Sequence, residues 1–284
     1  MRGCELLVWR LPEGSAVEPN EGRALPVAKQ QVTMNAPTHS IERSALIVEM
    51  LVSQSIQEPT DIEISSRAEA VNMAVLRSSD RDFQLFHESS SPRVTLVMTP
   101  PNPAPTSPVD LSQTWGFEQA GQIAQSVKRR IVVAEQQSQN GLASERVEAF
   151  HAALSLVIDL FRPVAIWNAR TPHMVAVERV AKDPLAALVN VRLFRVVDMA
   201  DGTVLMDTVG LAPLGLLDLQ CVTSRVEPNA LAKVLYDAAA FLVKEGDVIA
   251  DGDTISGLSV DDRWKCRVET SEVSPVRPVL NLTL

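Results

Sequence analysis

The chain has 284 residues, of which 46% are apolar and only 4% aromatic, and its formal net charge is -9 at pH 7. A protein of this length can bury a full core, here made mainly of aliphatic side chains. The negative charge argues against a nucleic-acid-binding protein, which needs basic surface to displace counterions. No segment reaches the roughly 18 consecutive apolar residues expected of a membrane-spanning helix.

The N-terminal part of the chain contains few regular apolar patterns. Residues 1–30 are predicted to be an extension or a loosely packed segment, apart from a short strand over residues 5–10, because prolines and glycines interrupt residues 11–28. Residues 31–108 are predicted to form an N-terminal α/β lobe. Its predicted strands are 30–35, 83–87 and 93–98, and its predicted helices are 40–56 and 67–77.

Five prolines between Pro100 and Pro108 exclude helix and sheet interior from that stretch, which ends the N-terminal lobe and is either a linker between lobes or a surface loop. Residues 109–284 are predicted to form a C-terminal α+β lobe. Ser144 is the expected N-cap of its longest helix, and Asp201-Gly202 is typical of a hairpin turn. The predicted helices are 116–130, 144–161, 174–181 and 230–244, and the predicted strands are 131–134, 164–167, 188–197, 203–209, 216–222, 263–270 and 278–282.

Metal and cofactor sites have no clear signature in the sequence. Its four histidines (His39, His87, His151 and His173) lie in unrelated segments without metal-ligand spacing. The three cysteines (Cys4, Cys221 and Cys266) are equally scattered, which favours neither a disulfide framework nor a zinc site. Residues 251–257 resemble a calcium loop only in Asp251 and Asp253, so a turn is the preferred interpretation. We expect no cofactor and no metal, and a protein of the reducing cytoplasm without a signal peptide.

The common catalytic motifs are also missing. No GxGxxG, GxxxxGK[ST] or GxSxG pattern occurs. Acidic residues instead become dense towards the C-terminus, on turns around one helix. They form either a solvated rim or a docking face for a basic protein, and the candidate partner-binding residues are Glu245, Asp247, Asp251, Asp253, Asp261 and Asp262.

Three stretches of the C-terminal lobe carry a family resemblance. DTVGLAPLGLLDLQC, LYDAAAFLVKEGDVIADGDTISG and WKCRVETSEVSPVRPVLNL together resemble the bacterial domain-of-unknown-function 4261 family over residues 207–282. A fainter similarity extends back to about residue 93. Proteins resembling this family occur among the products of bacterial toxin-secretion loci. The resemblance therefore implies an immunity or antitoxin role by association, and it transfers no catalytic residue.

These observations predict an α+β protein with mostly antiparallel sheet, helices packed on one face, and two lobes. We expect a non-enzymatic cytosolic binding protein, specifically an immunity protein that occludes the active site of a cognate, basic, nuclease-like toxin, with no membrane or nucleic-acid partner. One alternative is an enzyme with a dispersed site that uses Asp207, Asp218 or His173. The other is an accessory component of a secretion system, such as type VI. The sequence leaves the oligomeric state open.

Overall fold

Fourteen strands form two seven-stranded sheets in the part of the chain that the computed structural model describes: residues 4–6, 41, 43–52, 59–77, 82–87, 93–98, 110–127, 129–136, 141–196, 199–259 and 261–284. In chain order the strands are β1 (Cys4–Leu6), β2 (Ile47–Val52), β3 (Met73–Arg77), β4 (Asp82–His87), β5 (Arg93–Met98), β6 (Arg129–Gln136), β7 (Ala165–Asn168), β8 (His173–Val175), β9 (Asn190–Val196), β10 (Val204–Val209), β11 (Asp218–Thr223), β12 (Thr254–Ser256), β13 (Arg263–Thr270) and β14 (Pro278–Thr283). The helices are α1 (Asp61–Glu69), α2 (Ala120–Ser126), α3 (Ala143–Phe161), α4 (Val177–Lys182) and α5 (Pro228–Glu245), with short 3-10 helices at Pro184–Ala187 and Ala212–Leu214.

The two sheets differ in topology. The N-terminal sheet has the order β3-β4-β5-β6-β2-β7-β8, and all of its neighbouring strands are antiparallel. The C-terminal sheet has the order β1-β9-β10-β11-β14-β13-β12, in which β11 and β14 are parallel and the other pairs are antiparallel. The predicted α+β class with mostly antiparallel sheet is confirmed.

Two helices lie between the sheets and carry the main core. Helix α3 packs on the N-terminal sheet, helix α5 packs on the C-terminal sheet, and the two helices contact each other. Phe150, Leu154, Val157 and Phe161 recur on one face of α3 and are all buried. Because these side chains belong to the same cluster as those of α5, both sheets share one continuous core.

The opposite face of the N-terminal sheet is also covered. Leu51, Trp167 and Met174 point away from α3 and pack against α2 and the residues around it. The expectation of helices on a single face therefore holds for α3 and α5 but not for α2. No helix among the described residues is long and apolar enough to cross a membrane.

Several predicted elements are corrected by the structure. Residues 40–56 were expected to be helical, but β2 is a central strand between β6 and β7. A central strand buried on both faces has a continuous apolar run, and such a run also contains helix-like spacing. The predicted helix over 67–77 divides into α1, which Thr60 caps, and β3. Ser144 is not the cap of α3, because Leu142 occupies that position.

Two further predicted helices contain strands. Helix α2 ends at Ser126, before β6 begins, and the predicted helix over 174–181 divides into β8 and α4. Strand β12 arises within the stretch interpreted as a turn. The lobe boundary at residue 108 does not separate two sheets, because β5 pairs with β6 across it. The predicted strand over 30–35, the Pro-rich stretch and all of residues 1–30 except β1 lie outside the described residues.

A buried ion pair links the two halves of the molecule. Arg146 of α3 is 1% exposed, and its Nε donates to Oε1 of Glu135 in β6 at 2.7 Å. Its Nη1 donates to the carbonyl oxygen of Pro213, which precedes β11, at 2.7 Å, and its Nη2 to that of Ser44 at 2.8 Å. One guanidinium thus binds acceptors on β6, on the segment before β2 and on the 3-10 helix before β11.

We expect Arg146→Ala to destabilise the fold by about 3–5 kcal/mol, because it leaves the buried carboxylate of Glu135 without its counterion. Urea unfolding followed by tryptophan fluorescence measures this loss. The control is Lys233→Ala in the exposed pair with Asp237, which should cost less than about 1 kcal/mol. A loss for Arg146→Ala no larger than that of the control would contradict the structural role of the pair.

Candidate functional site

Polar side chains form a transverse row across the outer face of the C-terminal sheet, the face turned away from α5. Arg192, Asp207, Gln220, Asn281 and Arg267 occupy successive paired positions on β9, β10, β11, β14 and β13. Side chains at paired positions lie close enough to interact. The row is therefore where this sheet concentrates its polar chemistry.

One end of the row is a buried cluster of four charged residues. Arg192 holds the Asp207 carboxylate in a two-point contact, with Nε–Oδ1 at 2.9 Å and Nη2–Oδ2 at 2.6 Å. Arg277 bridges two carboxylates, since its Nη2 lies 2.9 Å from Oδ2 of Asp207 and its Nε 2.8 Å from Oδ2 of Asp218. Asp207 and Asp218 are 0% and 1% exposed, so two buried carboxylates are matched by two guanidinium groups.

The cluster anchors the segment that precedes β14, residues 271–277, which we term the strap. Arg192 Nη1 donates to the carbonyl oxygen of Ser274 at 2.9 Å, and the N–H of Glu272 donates to Oε1 of Gln220 at 2.9 Å. The side chain of Val273 is buried against Phe194 and Leu205. The strap is thus held on the sheet by both polar and apolar contacts.

The electrostatics of the cluster follow from burial and pairing. Burial raises the pKa of Asp218, although Arg277 and the N–H of Leu211 oppose the shift. Burial also acts to lower the pKa of Arg277, but the carboxylates of Asp218 and Asp207 outweigh it and raise that pKa. A general base must reach its substrate, and both carboxylates lie beneath the strap bound to arginines. Their geometry is that of a structural clamp.

His173, the third residue of the enzyme hypothesis, lies in β8 of the N-terminal sheet, and its side chain bonds to Thr171 and Ala186 rather than to the cluster. Its Nε2 is 2.9 Å from the carbonyl oxygen of Ala186, and its Nδ1 is 2.9 Å from Oγ1 of Thr171. This arrangement suits a neutral ring that donates through Nε2 and accepts at Nδ1. Burial lowers the pKa of His173. The structure therefore does not bring His173 together with Asp207 and Asp218, and it gives the ring a packing role.

The two described cysteines are buried on the inner face of the C-terminal sheet. Cys221 in β11 and Cys266 in β13 both pair with Leu282 of β14, which separates them by two strand spacings, about 9.5 Å. That distance exceeds what a disulfide spans. Burial raises the pKa of Cys221 to about 12 and that of Cys266 to about 11, which makes both thiols unreactive.

The six candidate partner-binding residues divide between two segments at opposite ends of β12. Glu245, Asp247, Asp251 and Asp253 belong to the first acidic segment, residues 245–253. Asp261 and Asp262 form the second acidic segment. Asp251 accepts a hydrogen bond from the N–H of Val268, whereas Asp262 adjoins the first residue of β13. At about 3.3 Å per residue, Asp262 lies about 13 Å from Asp253 and about 20 Å from Asp251 along β13, so the two segments do not share one end.

The six carboxylates also differ in their roles. Asp251, Asp253 and Asp262 accept hydrogen bonds from the backbone N–H groups of Val268, Ala250 and Leu258, and Asp262 also accepts one from Trp264 Nε1. These three shape the turns. Glu245 contacts only the exposed Lys244 among the described residues, and Asp247 and Asp261 are exposed. Partial burial raises the pKa of Asp247. Glu245, Asp247 and Asp261 are therefore the carboxylates open to a partner.

A shallow depression of about 400 Å³ lies beside the first acidic segment. It is lined by Asp251, Gly252, Lys265, Arg267, Val268 and Glu269. Residues of the described part of the chain form no group of three or more His, Cys, Asp or Glu that could hold a metal ion. His39 and the side chain of His87 lie outside the described residues.

Comparison with known families supports the resemblance at the C-terminus. The family model of a domain of unknown function, DUF4261, matches residues 207–283. The match includes Asp207, Asp218 and Arg277 of the buried cluster, and both acidic segments. The predicted extension of the resemblance back to residue 93 lies outside the matched range. No curated protein and no solved structure matches the chain.

Arg277→Ala should destabilise the fold by about 3–5 kcal/mol at pH 7.5, because Asp218 loses its counterion while remaining buried. This loss of unfolding free energy should be smaller at pH 5.5. Without the arginine, the folded-state pKa of Asp218 lies still further above its unfolded value, so falling pH favours the folded state. Urea unfolding at both pH values tests this. Arg277→Ala combined with Asp218→Asn should recover stability at pH 7.5, and a loss that is the same at both pH values would contradict the role given to Asp218.

His173 should make the fold less stable in mild acid. Because burial lowers the folded-state pKa of His173, the unfolded chain takes up this proton first, and stability is lost as pH falls below about 6.5, by at most about 1.4 kcal/mol per pH unit. His173→Gln can still donate to Ala186 and carries no titrating ring. Between pH 7.5 and 5.5, the thermal unfolding temperature of this variant should fall less steeply than that of wild type. Equal slopes would contradict the role given to His173.

Proposed function

We propose that this chain is a non-enzymatic cytosolic binding protein, specifically an immunity protein that neutralises a cognate secreted toxin by occluding its active site. The observation that carries the proposal is how the charges are used. The carboxylates of Asp207 and Asp218 are buried against arginines, whereas those of Glu245, Asp247 and Asp261 are exposed. These three exposed carboxylates, which lie on either side of β12, are therefore available to another molecule.

Electrostatics gives this surface a partner class. An acidic protein with a net charge of -9 is steered towards a basic protein, and toxins that attack nucleic acid need basic surface for their own substrate. Complementary charge accelerates association and fixes the orientation of the two proteins. The resemblance to a family found in toxin-secretion loci supports the same class of partner.

The test is co-expression of the tagged chain with the toxin encoded beside it, followed by pull-down and a growth assay. We expect co-purification and rescue of growth. Replacing Glu245, Asp247 and Asp261 together by lysine should slow association at least about tenfold and weaken its salt dependence, because the steering charge is reversed. The matched control replaces Glu118, Glu148 and Asp201, which are exposed elsewhere, by lysine. Failure of the wild-type chain both to bind and to rescue growth would overturn the proposal.

A further inference from the structure

Basic side chains separate the two acidic segments. Arg263, Lys265 and Arg267 alternate along β13, so all three project from the outer face of the C-terminal sheet, and all are exposed. Asp251 of the first acidic segment adjoins one end of this row, and the second acidic segment adjoins the other. Along about 20 Å of strand, the surface around β12 therefore changes from acidic to basic and back to acidic.

The neighbouring carboxylates do not neutralise the middle of this pattern. Arg263 donates to the carbonyl oxygen of Asp262 at 3.2 Å and is partnered. The side chains of Lys265 and Arg267, in contrast, form no hydrogen bond or ion pair with any residue that the structure describes. They line the same depression as Asp251 and Glu269.

The two acidic residues of the depression have other partners. The Asp251 carboxylate accepts the N–H of Val268 at 2.8 Å, and the Glu269 carboxylate accepts Nδ2 of Asn281 at 2.7 Å. Both carboxylates are thus held by neutral donors beside two unpaired cations. Positions two apart on a strand lie about 7 Å from each other, so Lys265 and Arg267 can flank one small anionic group.

We propose that Lys265 and Arg267 form the docking point for a carboxylate side chain, Asp or Glu, of the partner protein. This inference rests on the proposed function and deepens it, because it requires a partner face with an acidic residue between basic ones. The arginine supplies a planar fork that matches a carboxylate, and the lysine supplies a point charge. Asp251 and Glu269 border the depression with negative charge, which disfavours a polyanion and leaves room for a single carboxylate.

The test compares binding of the purified neighbouring toxin to three forms of the full chain. Lys265→Glu combined with Arg267→Glu should weaken binding about 100-fold and speed dissociation, because a central charge pair becomes repulsive. The neutral pair Lys265→Gln and Arg267→Gln should weaken binding about tenfold. The control changes Lys182 and Arg195, two exposed cations outside this surface, to glutamate and should leave the Kd within about threefold of wild type.

The outcomes separate this inference from the proposed function. If the wild-type chain binds the toxin and the Lys265 and Arg267 variants bind within about threefold of it, the docking point is wrong and the proposed function stands. If the wild-type chain does not bind, both fail. Equal urea-unfolding midpoints for the variants and wild type exclude misfolding, and a toxin variant with one interfacial acidic residue changed to lysine should restore binding to the glutamate variant.

Discussion

The bridge from Arg277 to Asp207 and Asp218 is the contact on which the C-terminal half depends. Strands β11 and β14 are parallel neighbours, yet α5, β12 and β13 lie between them in sequence. Arg277 immediately precedes β14 and binds carboxylates on β10 and β11. A one-residue slip of β14 would move its side chains to the opposite face, and a shift of Arg277 from the carboxylates would leave buried charge unpaired. We infer that the bridge fixes the register of this long-range pairing.

The ion pair of Arg146 and Glu135 has a comparable role between the two halves. With only 4% aromatic residues, the shared core of α3 and α5 consists largely of aliphatic side chains, which tolerate several packings of similar volume. The Arg146 guanidinium admits fewer arrangements, because it must meet acceptors on Glu135, Pro213 and Ser44 simultaneously. The aliphatic core supplies most of the stabilisation, and we infer that the buried arginines supply orientation.

How much of the structure the sequence could predict depended on how far apart the contacting residues lie along the chain. The hairpin of β9 and β10 was predicted from Asp201-Gly202, but a turn centred on that dipeptide would pair Arg192 with Leu211, whereas the structure pairs it with Asp207. The bridge to Asp218 was not predicted either, because it requires the parallel pairing of β11 with β14. Residues 40–56 were wrongly predicted as helix because the apolar run of β2 fits both the helical and the strand period. Only its position between two strands shows that it is a strand. The acidic residues were identified individually, but their separation follows from β12, which the sequence did not reveal.

The separation of the two acidic segments changes what the negative charge of the chain implies. At physiological ionic strength a charge is screened beyond about 8 Å, and Asp251 and Asp262 are about 20 Å apart along β13. Under the proposed function, a distant partner would respond to the net charge, whereas a partner in contact would meet Asp251, then Lys265 and Arg267, then Asp261 as distinct features. Under that proposal, net charge would select basic proteins in general, and the alternation of charge would select among them. A uniformly basic surface would leave Lys265 and Arg267 facing like charge, so specificity would lie in the cations within an acidic protein.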